Sequence, residues 1–163
     1  GYGQTISQPY IVAVMLEMLD VGPDHKVLEV GAGSGYQAAL LAELAREVYA
    51  IEIIEPLAYR AEQTLKRLGY ADKVRIIRGD GTLGWPEAAP YDRIIISAAC
   101  PDVPPPLQEQ LAEGGRIVAP VGRRGIQQLV VGVKRGGTLE LTHTIGCVFV
   151  PLVGEHGWKK RAW

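Results

Sequence analysis

Three acidic residues and a run of glycines are the parts of this sequence best suited to chemistry. The stretch "VLEVGAGSG" puts Glu29 in an apolar run directly ahead of Gly31-x-Gly33-x-Gly35. Glycines at this spacing let the chain turn sharply and let a ligand approach the main chain closely. A helix that follows aims its first amides into the same space. Dinucleotide sites favour G-x-G-x-x-G, with a pyrophosphate over the helix start. Here the third glycine comes one residue early, position 36 is Tyr, and Glu29 would repel a pyrophosphate. A carboxylate there suits a ligand that carries an ammonium group, such as the amino-acid end of S-adenosylmethionine. Taken alone, the same turn also serves plain strand-to-helix packing.

Two further acids bear on the choice. Glu52, in "AIEI", closes a second apolar run, where a carboxylate can grip both hydroxyls of a ribose or simply stand in solvent. Asp80 and Gly81, in "RGDG", close a third. The carboxylate can accept from an adenine amino group while Gly81 leaves room for the ring, or the pair can be an ordinary Asp-Gly turn. Three acids at the carboxyl ends of three adjacent strands favour the ligand readings, because open α/β sheets bind ligands along that edge.

Residues that could act as a general base are poorly placed. His25 precedes the first strand, at the far edge of the sheet, and His143 falls on a strand face in the tail. His156 lies in the last loop, where it could approach the site. A carboxylate acceptor needs no base, since it is ionised at neutral pH; it needs orientation and partial desolvation. Ser7, in "GYGQTISQPY", could supply a hydroxyl donor for that purpose. It is also well placed as the N-cap of a helix that starts at Pro9. "SAACP" is not the [DNS]PP[YF] motif of amino-methylating nucleic-acid enzymes, and Cys100-Pro101 reverses the Pro-Cys order of cytosine C5 chemistry. The cysteines and histidines are too scattered for a zinc set.

The elements that must position these residues alternate in type. Ile11, Val12, Met15, Leu16 and Leu19 have helical spacing. "KVLEV", "EVYAIEI", "KVRIIRGD", "YDRIIISAA" and "RIVAPVG" read as strands. "YQAALLAELA", the stretch from Pro56 to Leu68 and "PPLQEQLAEGG" read as helices, the last one running into a turn. That order predicts βαβ units and a parallel sheet. The tail has two β-rich runs joined at Gly136-Gly137, a hairpin signal. The expected architecture is one α/β domain over residues 1–163. Its sheet is doubly wound, seven-stranded and mostly parallel, with helices on both faces and an antiparallel edge strand.

Composition narrows the partners. The chain has 163 residues, 47% apolar and 21% charged, with a formal net charge of -1. The absence of a basic excess argues against a dedicated nucleic-acid binder. No stretch approaches the roughly 20 apolar residues of a membrane span, and no secretory signal pattern is visible. Two cysteines without a framework, Cys100 and Cys147, fit a reducing compartment, so a cytoplasmic monomer is expected. The first residue is Gly1 rather than Met, so an N-terminal part is expected to be missing.

In combination these motifs resemble the Rossmann-like methyltransferases that use S-adenosylmethionine. "VLEVGAGSG" is similar to their first motif, Glu52 to their ribose acid, "GDG" to their adenine-side motif, and "LAEGGRIVAPVG" to the segment before their fifth strand. The flanks "GYGQTISQPYIVA", "GDGTLGWPEAAPYDRIIISAACPDVPPPLQEQL" and "CVFVPLVGEHGW" resemble the bacterial protein-L-isoaspartate (D-aspartate) O-methyltransferases. Full-length members carry a helical region ahead of "GYGQTIS". The resemblance implies methyl transfer from S-adenosylmethionine, leaving S-adenosylhomocysteine. The acceptor would be the free α-carboxyl of L-isoaspartyl residues in damaged proteins and peptides, with D-aspartyl residues as a second candidate. The ester then closes to a succinimide, which reopens partly to normal aspartate.

By resemblance Ser7 is the active-site residue, and Gln4, Thr5 and Ile6 line the same wall. Glu29, Gly31, Gly33, Gly35, Glu52, Asp80, Gly81 and Ser97 of "SAA" would serve the cofactor. The "FVPLVG" segment (149–154) would border the substrate mouth. Three alternatives stand beside this reading: a non-catalytic S-adenosylmethionine-binding fragment, a methyltransferase for another small carboxylate, and a nucleotide-binding oxidoreductase. The G-x-G-x-G spacing with Glu29, and the lack of a YxxxK pair, count against the last.

Overall fold

The structure, a computed structural model of the chain, describes residues 2–159. Its centre is a single seven-stranded sheet in the order β3-β2-β1-β4-β5-β6-β7. The strands are β1 (Lys26–Val30), β2 (Glu47–Glu52), β3 (Val74–Arg78), β4 (Tyr91–Ile96), β5 (Leu111–Arg123), β6 (Ile126–Arg135) and β7 (Thr138–Cys147). The first five are parallel; β6 runs antiparallel to both β5 and β7. The expected antiparallel addition is therefore a hairpin. Gly136 and Gly137 make its turn, both at positive φ (60° and 75°), as a two-residue hairpin loop of the primed kind requires.

Both faces of the sheet are covered, which is why the inner strands carry short apolar runs such as Ile94–Ile96 rather than a strict alternation. On one face Val27, Val48, Ile95 and Val118 pack against Met15 and Leu19 of α1 (Pro9–Leu19), Leu41 of α2 (Tyr36–Leu44) and Leu65 of α3 (Glu55–Arg67). On the other, Leu28, Val30, Ile94, Ile96 and Ile117 pack with Leu107 of α4 (Pro105–Gln110) and with Tyr91. Val27 and Glu29 share a face by the period of the strand, so Glu29 points toward α1 and α2.

Two expectations need correction. Ser7 is not the N-cap of α1. The cap is Gln8, in an extended conformation and with no side-chain cap bond, and Pro9 is the first helical residue. Proline presets the helical φ at the first position and restricts the residue before it to extended geometry, so the boundary falls one residue later. The "LAEGG" stretch is not the end of a helix. α4 stops at Gln110 and β5 begins at Leu111, and the β4–β5 ladder jumps from Tyr91↔Leu111 to Arg93↔Arg116. The residues between are looped out as an irregularity, with Gly114 at φ 76°.

Candidate functional site

The carboxyl ends of β1, β2 and β4 meet at the glycine turn. Gly31 and Ala32 both donate their N–H to the carbonyl of Ile51, at 2.9 and 3.0 Å. Gly31, Gly33 and Gly35 have φ of 92°, 54° and 85°, a region only glycine enters freely. Glu52 fixes the turn from the side. Its Oε2 accepts from Gly33 N–H at 2.8 Å and its Oε1 from Ile54 N–H at 2.9 Å, so one carboxylate holds the glycine loop and the start of α3. It remains 6% exposed, at the wall of the main cavity.

That cavity has a volume of about 370 Å³ and is lined by Gly31, Gly33, Glu52, Gly81 and Ser97. Its other walls include Gln4 and Thr5 of the leading segment and residues 150–153 of the last loop. A smaller chamber of about 70 Å³ adjoins it across Gly31, Gly33 and Ser97, and contains Glu29, Gln37, Ile6 and Ser7. An open groove of about 530 Å³ lies on the outer side of Thr5, Ile6 and Ser7, against Cys147, Val148 and Phe149. The leading segment is thus a partition, with Ser7 facing both the chamber and the groove.

The chamber holds an unusual acid. Glu29 is 1% exposed, and among the described residues its Oε2 has no hydrogen-bond partner. Burial first, and the Glu52 carboxylate second, hold its carboxyl well above the ordinary carboxylate range. A buried polar atom left without a partner is costly and points to a ligand group that completes it.

Asp80 is placed differently. It does not line the main cavity; its Oδ1 accepts from the Thr82 N–H (2.9 Å) and hydroxyl (2.7 Å), and its Oδ2 from Glu155 N–H at 2.8 Å. It pins the last loop to the end of β3 and keeps one acceptor position open. Gly81 does line the cavity, and a Cβ there would stand 2.5 Å from Val30 Cγ1, so the chain passes too close to β1 for any side chain.

Ser97 carries a partner that sequence reasoning missed. The Gln37 Nε2 donates to its Oγ at 3.0 Å, and Gln37 is only 8% exposed. The "FVPLVG" segment does two jobs. Phe149, with the preceding Val148, walls the groove, whereas residues 150–153 wall the cavity, held by Ala99 N–H to Val150 O (2.7 Å) and Leu152 N–H to Ala99 O (2.8 Å). None of the histidines lines these three spaces. The His25 Nδ1 accepts from Gly22 N–H at 2.8 Å ahead of β1, His143 lies opposite Val130 in the β6–β7 ladder, and His156 N–H donates to Thr82 Oγ1 at 3.1 Å. Cys100 is buried, and that burial pushes its thiol up to about 12, far from a reactive thiolate.

Comparison with known proteins agrees with this geometry. The family model described as protein-L-isoaspartate(D-aspartate) O-methyltransferase (PCMT) matches residues 1–157. A protein-L-isoaspartate O-methyltransferase of Dictyoglomus turgidum is 56% identical over 159 residues, covering 98% of this chain and 72% of its own length. One of Hyperthermus butylicus is 54% identical, covering 98% of this chain and 71% of that protein. Among solved structures, a protein-L-isoaspartate O-methyltransferase superposes with a TM-score of 0.86 at 30% identity, over 93% of this chain and 49% of that one. A Plasmodium falciparum protein described as a beta-aspartate methyltransferase, solved in complex with S-adenosyl-L-homocysteine, has the same fold. Its TM-score is 0.82 at 24% identity, over 94% of this chain and 78% of that one. A family match over nearly the whole length, relatives above half identity and the shared sheet lead to one assignment: the chain belongs to the protein-L-isoaspartate(D-aspartate) O-methyltransferase family.

Proposed function

We infer that this chain transfers a methyl group from S-adenosylmethionine to the free α-carboxyl of L-isoaspartyl residues in proteins and peptides, the first step of their repair. The observation that carries the reading is the adjacency of three spaces: a chamber with an unpartnered acid, a cavity edged by Glu52, and a groove, all bordered by Thr5. The cofactor fits the first two. Its ammonium matches Glu29, its ribose hydroxyls match the lone pairs that Glu52 keeps beyond its two N–H bonds, and its adenine matches the side of Gly81. Asp80, outside the cavity lining, serves this side by pinning the last loop rather than by meeting the adenine. Ser97, and Gln4 to Ile6 of the leading segment, complete the walls.

When bound, the cofactor supplies an electrophilic methyl on a sulfonium. The residues of the chain have orientation and desolvation to provide. A substrate carboxylate arrives ionised, so no proton need be removed. Ser7 donates its hydroxyl to one carboxylate oxygen and leaves the other aimed at the methyl. The leading segment and residues 150–153 exclude water, which strengthens the attraction between carboxylate and sulfonium. Ile6, Tyr10 and Val148 are more than two-thirds exposed at the groove, at 75%, 71% and 72%, and offer apolar contact to a polypeptide acceptor.

The whole of residues 1–163 is read as one cytoplasmic, monomeric domain. Two free thiols, Cys100 and Cys147, support the compartment, and among the described residues no helix is long and apolar enough to cross a membrane. The test is incubation with methyl-labelled cofactor and matched peptides containing L-isoaspartate, D-aspartate or normal aspartate. Base-labile label on the isoaspartyl peptide and none on the normal one is expected. Cofactor binding without turnover would favour a binding fragment instead.

A further inference from the structure

Glu29 is a buried carboxyl, 1% exposed, and among the described residues no cation stands beside it. The elements packed around it bring Val12 from α1, Tyr36 and Gln37 from α2, Ser97 after β4, and Ser7 from the leading segment; no basic side chain lines the chamber. The other charged group that faces it is Glu52 at the end of β2, a second carboxylate. Glu52 is satisfied by two N–H donors, whereas Glu29 Oε2 has none. A lone buried carboxylate in such surroundings is strongly disfavoured, and a proton removes the charge. We propose that cofactor binding at this site is a proton exchange, in which Glu29 is a neutral acid in the free protein and releases its proton to solvent as the ammonium group of the ligand takes its place. This rests on the reading of the site as an S-adenosylmethionine site.

The balance is simple. Glu29-COOH and R-NH3+ become a Glu29-COO⁻/R-NH3+ ion pair, and one H+ leaves to buffer; no bond to carbon changes. Burial and Glu52 both favour the neutral form while the chamber is empty. The incoming ammonium reverses the preference by supplying the missing opposite charge. Glu29 thereby determines specificity: a nucleoside that lacks the amino-acid end can fill the cavity but cannot drive the exchange. Affinity for an amino-acid-bearing ligand is then highest above the titration of Glu29. It falls about tenfold for each pH unit below that point.

The test is calorimetric titration of the whole chain with S-adenosylhomocysteine, which has the same amino-acid end and does not turn over. It is run from about pH 5 to 8 in buffers of different ionisation enthalpy. Release approaching one proton per ligand is expected at the acid end of that range, with a pH-dependent Kd. 5′-Methylthioadenosine, which keeps the nucleoside and lacks the ammonium, should bind with no proton release and a flat profile, and so should S-adenosylhomocysteine on Glu29→Gln. The infrared band of a buried protonated carboxyl should vanish on addition of S-adenosylhomocysteine to the unaltered chain, a measurement that needs no variant to fold. Tight binding with equal heats in all buffers, a flat Kd and an unchanged carboxyl band would overturn the proposal and leave the cofactor reading standing. No binding at any pH would overturn both.

Discussion

The hydroxyl of Ser7 stands half-buried where the chamber and the groove meet, and among the described residues it has no hydrogen-bond partner. Since Gln8 rather than Ser7 caps α1, replacing Ser7 should not unravel the helix. Ser7→Ala is expected to lower kcat by about 10- to 100-fold, the range of one hydrogen bond to a charged group, with unchanged Kd for S-adenosylhomocysteine and unchanged melting temperature. A lower melting temperature with full turnover would return Ser7 to a structural role. Gln37 makes a second single-residue test. Without its bond the Ser97 hydroxyl is free to rotate, so Gln37→Leu should weaken S-adenosylhomocysteine binding by about 3- to 10-fold at equal fold content, read by calorimetry. The place of Glu29, Glu52 and the glycines at this edge of the sheet was legible in the sequence because it is local: each closes a strand or opens a helix within a few residues. Gln37 was not, although a signal existed. It lies four residues before Leu41, on the buried face of α2, and a polar residue on such a face needs a partner.

At the level of elements, the strand and helix order could be read from the chain because βαβ units repeat their own pattern. What could not be read was how the last loop crosses the sheet. Residues 150–153 reach the cavity through pairing with Ala99, about fifty positions away in sequence, and the loop is held further by the bonds from Glu155 N–H to Asp80 and from His156 N–H to Thr82. No short-range pattern encodes such contacts, whereas the resemblance placed "FVPLVG" near the site. The crossing depends on glycine at position 154, where an added Cβ would stand 2.1 Å from Asp80 Oδ1. Gly154→Ala must push the loop off its anchor. Overpacking of this kind costs about 1–3 kcal/mol, which for a chain of this size lowers the melting temperature by roughly 2–10 °C. Cofactor affinity should fall with it, since the displaced residues wall the cavity. Asp80→Asn separates tether from wall: it replaces one acceptor by a donor facing Glu155 N–H and should reproduce the loss of affinity with little added bulk. Unchanged affinity in both variants would mean that the loop does not shape the site.

At the scale of the whole molecule, an acid kept for a ligand is a burden on the free protein. In the unfolded chain Glu29 ionises near the ordinary value of about 4.3. In the fold, burial and Glu52 raise that value, so the folded state holds its proton longer. Below the unfolded value both states are protonated and stability is unaffected. As the pH rises from there to the folded value, the unfolded state ionises first and gains. Glu29's contribution therefore declines with rising pH, by about 1.4 kcal/mol for each pH unit, and levels off once the folded carboxyl also ionises. Glu29→Gln removes that slope. The unaltered chain and the variant should melt at similar temperatures near pH 4, and the variant should melt progressively higher as the pH approaches neutrality, while binding S-adenosylhomocysteine more weakly. Addition of S-adenosylhomocysteine should close the gap from the other side, because the ammonium stabilises the ionised carboxyl only in the folded, liganded molecule. A difference between the two melting curves that does not change with pH would mean that Glu29 keeps an ordinary titration in the fold. The same carboxyl would then be a packing group rather than a reserve for the ligand.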